Sequence, residues 1–218
     1  MDQFWNTLQA DWPLIIDKTL EHLYLSAVSV LIACLVAIPA GVLLTRFKRL
    51  ANGVITVVSV IQTIPSLALF GFMIPLVGIG AKPAIIALTL YALLPIVQNT
   101  FVGISEVNPA LTEAGVGMGM TRWQVLRMVQ LPIARSVIMA GVRLVTVQTI
   151  SMATIATYIA AGGLGDIITR GITMINTITI FEGAVPVSLL VILVNLLLLA
   201  LNRALTPKGL RGQRKING

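Results

Sequence analysis

Apolar positions gather into five long runs: Leu23 to Leu44, Val54 to Val77, Ala84 to Val102, Ser136 to Ala161 and Ala184 to Leu201. The first run alone makes roughly 33 Å of helix, enough to cross a hydrocarbon core about 30 Å thick. Lipid offers no partners to main-chain N–H and C=O groups, so each run is predicted as a membrane-spanning α-helix that satisfies its own. The pattern therefore predicts an all-α, polytopic membrane protein with five transmembrane helices in one domain over residues 1–218. In the first run Ala33, Ala37 and Gly41 recur at four-residue spacing, a flat stripe suited to close helix packing. The second is interrupted by Pro65, Gly71 and Pro75. That interruption is either a mere kink or an opening onto neighbours or a cavity that satisfy the freed carbonyls.

The connecting stretches are short. Residues 1–19 carry Asp2, Asp11, Asp17 and Lys18 with Trp5 and Trp12, and read as an external lead-in lying at the membrane interface. They lack the positive start of a secretory signal. Residues 162–182 open with Gly162, Gly163 and Gly165. Their Ile/Thr alternation resembles a strand, but an isolated strand would leave unpaired edges, so a short amphipathic helix or re-entrant turn is expected.

The central loop, 106–135, is the most polar and basic part of the middle of the chain. Asn108-Pro109 supplies a cap and a first-turn proline for a short helix carrying Glu113. Gly115, Gly117 and Gly119 are expected to break that helix, with positive φ available at glycine. Thr121 and Gln124 have capping-box spacing and open a second helix, which Pro132 is expected to stop. Helix, elbow, helix makes a compact knob. On this local physics alone an ordinary helical connector is an equal reading.

Composition sharpens the class. The chain is 57% hydrophobic and 11% charged, against about 25% charged in soluble domains. The net charge of +7 could suggest nucleic acid, but the basic residues flank apolar spans, which makes them a topology signal. Arg46, Lys48 and Arg49, then Arg122, Arg127 and Arg135, then Arg203, Lys208, Arg211, Arg214 and Lys215 fall on one side. Lys18, Lys82 and Arg170 fall on the other, and Arg143 lies inside the fourth span. The bias puts the N-terminus outside and the C-terminus inside. Cys34 is the single cysteine, which excludes an intrachain disulfide. His22 has no ligand-like neighbours at metal spacing and reads as an interfacial residue.

Chemistry of its own is scarce. No GxxxxGK[ST] phosphate loop occurs, and GGLG at Gly162–Gly165 lacks the following lysine. No Ser/His/Asp or Cys/His set is plausible, so no enzyme is expected. All eight carboxylates fall outside the spans or at their ends, whereas an ion-coupled carrier would place such groups near the midplane. The chain is expected to have no motor of its own.

Glu113, Ala114, Gly119, Val129, Leu131 and Pro132 stand at set spacing in the central loop. Their spacing resembles the EAA loop of bacterial ABC importer permeases, in which Glu-Ala-Ala and Gly precede Ile-x-Leu-Pro. Gly115 for the second Ala and Val129 for Ile are the departures. Five exact matches at set spacing arise by chance about once in a million starting points. The resemblance implies a type I importer permease whose loop, through Glu113, Ala114, Gly115, Gly119, Thr121, Arg122, Leu131 and Pro132, docks on a separate cytoplasmic ATPase dimer. ATP and magnesium would be bound by that ATPase, with no cofactor in this chain.

EHLYLS at Glu21–Ser26, QTIPSLA at Gln62–Ala68, KPAIIAL at Lys82–Leu88, GMGMT at Gly117–Thr121 and AGGLGD at Ala161–Asp166 narrow the likeness to osmoprotectant permeases. TPKGLRG at Thr206–Gly212 resembles Gram-positive members. The implied cargo is glycine betaine, carnitine, choline or a related quaternary amine; an amino acid such as methionine is the alternative, and a stand-alone channel or carrier a more distant one. The resemblance further implies a bacterial cell membrane, a second permease subunit, an external substrate-binding protein and no nucleic acid. Cation–π cages hold quaternary ammonium groups, yet Trp5, Trp12 and Trp123 all lie outside the spans. The candidate pathway residues are only Pro65, Phe70, Phe72, Tyr91 and Tyr158, so the binding protein is expected to supply the affinity.

Overall fold

The computed structural model describes residues 2–205, all of whose regular elements are helical. The basic tail from Lys208 to Lys215 and the TPKGLRG segment lie outside the described residues, as do the side chains of Trp5 and Lys48.

The lead-in does not lie apart from the first span. Both belong to α1 (Asp2–Arg46), one helix of 45 residues. No glycine or cap separates them, so helix propagation from the apolar run carries through the polar start. The second run is broken rather than kinked. α2 (Lys48–Thr63) and α3 (Ser66–Val77) meet at 96° across Ile64-Pro65. Pro65 cannot donate in a helix, and it disfavours helical backbone at Ile64, whose ψ is 127°.

α4 (Ala81–Ser105) is the hub and packs against α1, α2, α3 and the helix over Leu131–Ala153. Its contact with α1 uses the predicted stripe: Ala33 and Ala37 are fully buried. At Gly41 a Cβ would come within 2.6 Å of Thr100 Cβ. On its other flank α4 meets α7 (Leu131–Ala153) just as closely, and a Cβ on Gly141 would reach 2.7 Å from Asn99 Cβ. Between spans that gain nothing from hiding apolar surface from lipid, such small residues raise packing contact.

The fourth span ends eight residues earlier than its apolar run. Ile155–Ile159 forms a 3₁₀ turn after Ala153, and Ala160 is left-handed at φ 58°. The expected amphipathic helix follows as α8 (Gly165–Thr173), before α9 (Thr177–Leu205) returns along the bundle. By length and composition the helices allow four spans, or five if the α2–α3 pair counts as one.

At the end where α1 begins, charged groups clamp α8 to it. Lys18 Nζ pairs with Glu21 at 2.8 Å and Asp166 at 2.9 Å, and Arg170 pairs with Asp11 at 3.3 Å. Glu21 also accepts the N–H of Gly163 at 2.8 Å. His22 is not interfacial. It is fully buried, with Nε2 2.8 Å from the Ile150 carbonyl oxygen, because α7 and the Gly162–Gly163 turn close over it.

Candidate functional site

Two places bring together residues singled out in the sequence. The first is the knob between α4 and α7. Asn108 Oδ1 accepts the Ala110 N–H at 2.9 Å, and α5 (Pro109–Gly117) follows with its proline at the start. The helix runs through Gly115 and Gly117, so neither breaks it. The turn is made at Gly119 alone, φ 81°. Thr121 then caps α6 (Arg122–Val125) with a complete capping box: Gln124 N–H donates to Thr121 Oγ1 at 3.3 Å, and Thr121 N–H to Gln124 Oε1 at 2.7 Å.

Gly115 is buried where the two arms touch. A Cβ there would lie 3.4 Å from Met120 Sδ and Val125 Cγ2, an ordinary contact. The alanine of the EAA pattern would therefore fit, which makes the departure conservative in space as well as in size.

Pro132 does not stop the helix. Leu126–Gln130 forms a π-helical turn in which Leu131 N–H reaches the Leu126 carbonyl, and α7 continues directly from it. Widening the turn to i→i+5 gives room where a proline ring would otherwise meet the carbonyl four residues back. Leu131 is half-buried and Pro132 exposed, so this joint anchors the knob to α7 while leaving it protruding.

Glu113, Ala114, Thr121 and Arg122 are exposed. With them stand exposed apolar side chains to which the sequence assigned no contact role: Val116, Met118 at 72% exposure, Trp123 at 59% and Met128. Large apolar groups on a polar connector were the available signal, since such patches mark contact surfaces. Arg122 also borders a groove with Arg46 and Thr45 of α1, which places the knob beside the C-terminal end of that helix.

The second place is the α2–α3 break. Pro95 deprives the Tyr91 carbonyl of its helical donor, and Gln62 Nε2 donates to that carbonyl at 2.8 Å. The Tyr91 hydroxyl in turn donates to the Ile64 carbonyl at the break. Gln62 and Tyr91 line a groove of about 430 Å³ with Gln148, Thr149 and Ser151 of α7. Of the five pathway candidates only Tyr91 lines it, with Pro65 at the adjoining break. Phe70 is fully buried in the core with Leu25, Leu88 and Ala156 and faces no groove. Phe72 and Tyr158 are exposed elsewhere. Gln62, Gln148 and Ser151 were legible as polar residues inside apolar runs.

Spanning helices around a right-angled break, with a capped helical knob between α4 and α7, define a multi-pass membrane protein. The chain belongs to the family of binding-protein-dependent transport system inner membrane components, whose pattern matches residues 24–210. It is 45% identical over 217 residues to the glycine betaine/carnitine/choline transport system permease protein OpuCB of Bacillus subtilis (strain 168), covering 100% of both chains. It is 47% identical over 215 residues to the carnitine transport permease protein OpuCB of Listeria monocytogenes, covering 99% of each. Among solved structures, a chain of the inward-facing MetNI methionine ABC transporter superposes with a TM-score of 0.81 at 26% identity, covering 89% of this chain and 97% of that one.

Proposed function

We propose that the chain is the permease subunit of an ATP-driven importer of osmoprotectants, carrying glycine betaine, carnitine, choline or a related quaternary amine. The observation that carries this reading is 45% identity over the whole length to a permease of that description, against 26% to the methionine transporter chain.

In this reading the protein sits in the bacterial cell membrane, N-terminus out and C-terminus in, and pairs with a second permease. An external binding protein delivers the cargo. A cytoplasmic ATPase dimer holds ATP and magnesium, and no nucleic acid takes part. The knob is the coupling element: Glu113 and the exposed Val116, Met118 and Trp123 dock on the ATPase, while Gly119 and the capping box keep the knob rigid. Rigidity matters because a floppy connector would absorb the ATPase movement instead of transmitting it to α4 and α7. The groove between α2, α4 and α7 is where cargo passes, its mainly apolar walls carrying the amides of Gln62 and Gln148, the hydroxyls of Thr149 and Ser151 and the aromatic ring of Tyr91.

The test is an uptake panel with the complete complex reconstituted in vesicles, comparing radiolabelled betaine, carnitine, choline and methionine. ATP-dependent uptake of at least one quaternary amine, with methionine at background, is expected. Uptake of methionine alone would overturn the substrate reading.

A further inference from the structure

Neither the proposed transport nor the clamp between α1 and α8 gives a role to the buried carboxylate of Glu182. Glu182 lies in the second turn of α9, only 2% exposed, and among the described residues neither of its oxygens has a hydrogen-bond partner. Asp11 and Arg170 act on it through space, but Arg170 donates to Asp11 instead. A buried carboxylate without donors is costly, so such groups are almost always found hydrogen-bonded.

Glu182 lines an apolar groove of about 430 Å³ between the N-terminal half of α1 and α9. At its level the groove carries two exposed aromatic rings, Trp12 and Phe181. Beyond it the walls are aliphatic, with Leu20, Leu189 and Leu193 all exposed. From Glu182 to Leu193 helix α9 rises roughly 16 Å, about one leaflet of a 30 Å hydrocarbon core. The groove thus has a polar-headed end, a leaflet's length of apolar wall, and a position at the end of α1 remote from the knob.

The chemistry of the head follows from the donor deficit. A cation beside aromatic rings is favoured whether or not it carries hydrogens. Two empty carboxylate oxygens are satisfied only by N–H or O–H donors, of which a primary ammonium has three and a trimethylammonium none. We propose that this groove holds a bilayer lipid with a primary-ammonium headgroup, the ammonium donating to Glu182 and an acyl chain lying along Leu20, Leu189 and Leu193.

The test uses the full importer complex in bilayers containing equal parts of four lipids with identical acyl chains. Their headgroups are ethanolamine and its mono-, di- and trimethylated forms. Lipid retained after detergent extraction is identified by native mass spectrometry. The expected result is retention falling stepwise with methylation, about tenfold from first to last. Glu182→Gln abolishes the preference, and Trp12→Ala lowers retention of all four. Equal retention across the series, preference for the trimethyl form, no retained lipid, or an unchanged preference in Glu182→Gln would each overturn the proposal. The series is run on the unaltered chain, so a misfolding variant cannot decide the outcome. Binding is read without cargo, so this result and the substrate panel fail independently.

Discussion

Gln62 and Tyr91 hold the α2–α3 break to α4 from both sides. The glutamine amide fills the Tyr91 carbonyl that Pro95 leaves open, and the tyrosine hydroxyl fills the Ile64 carbonyl beside Pro65. Two prolines on separate helices thus have their consequences cancelled by a single residue pair, and the right-angled geometry depends on it. Tyr91→Phe keeps the ring and removes the donor. Leaving the Ile64 carbonyl unpaired should cost roughly 1–3 kcal/mol. The complex should melt several degrees lower, and uptake should fall. A variant with wild-type melting and uptake would show that the break is held by packing alone.

Coupling through the knob is tested by Glu113→Ala. The side chain is exposed, so its loss should not disturb folding. A charge-assisted hydrogen bond to the ATPase is worth roughly 1.5–3 kcal/mol, and its removal should weaken ATPase association or stimulation about tenfold or more. The measurement is substrate-stimulated ATP hydrolysis at matched membrane levels. Unchanged hydrolysis and uptake would reduce the knob to a connector.

Gly119→Val should damage coupling for a different reason. At φ 81° nothing lies within 4 Å of an added Cβ, so space is not the obstacle. The obstacle is the left-handed backbone, which a β-branched residue resists. Hydrolysis should uncouple from uptake while membrane insertion stays normal. Gly117→Ala, in a helical residue with open space around it, should behave as wild type in the same assay.

The charged clamp between α1 and α8 makes a prediction about stability. Gly162 has φ 85°, and a Cβ there would approach Glu21 Oε2 to 2.5 Å. Gly162→Ala should therefore strain the turn by roughly 1–2 kcal/mol and push Glu21 away from Lys18 and the Gly163 N–H. Lower thermal stability is expected, with Gly53→Ala, where nothing lies within 4 Å, as the neutral comparison. Equal melting of the two variants would dismiss the clamp.

Close packing of α1 on α4 predicts that Gly41→Ala overpacks the interface by roughly 1–3 kcal/mol. The clash is with Thr100 Cβ, so Thr100→Gly in the same chain should restore much of the lost stability. Melting temperatures of both single variants and the double variant give the coupling. Additive losses would place the strain elsewhere.

Much of this architecture is local and was legible in the residues themselves. A run of apolar side chains must become a spanning helix because lipid satisfies no main-chain group. A cap, a capping box and a positive-φ glycine act within a few residues, so Asn108, Thr121 with Gln124, and Gly119 could be read directly. The stripe of Ala33, Ala37 and Gly41 announced close packing, but only the fold named Thr100 as what it packs against. What required the tertiary structure depends on partners far along the chain. Pro65 makes a right-angled break because Tyr91 and Gln62 are present to satisfy it. Pro132 passes through a helix because a π turn gives it room. The lead-in is held against α8 because Lys18 meets Asp166 and Asp11 meets Arg170, some 150 residues away in sequence. His22 and Glu182 looked like boundary residues in the sequence. Their burial depends on helices more than a hundred residues away, and no local pattern encodes which neighbours will close over a side chain.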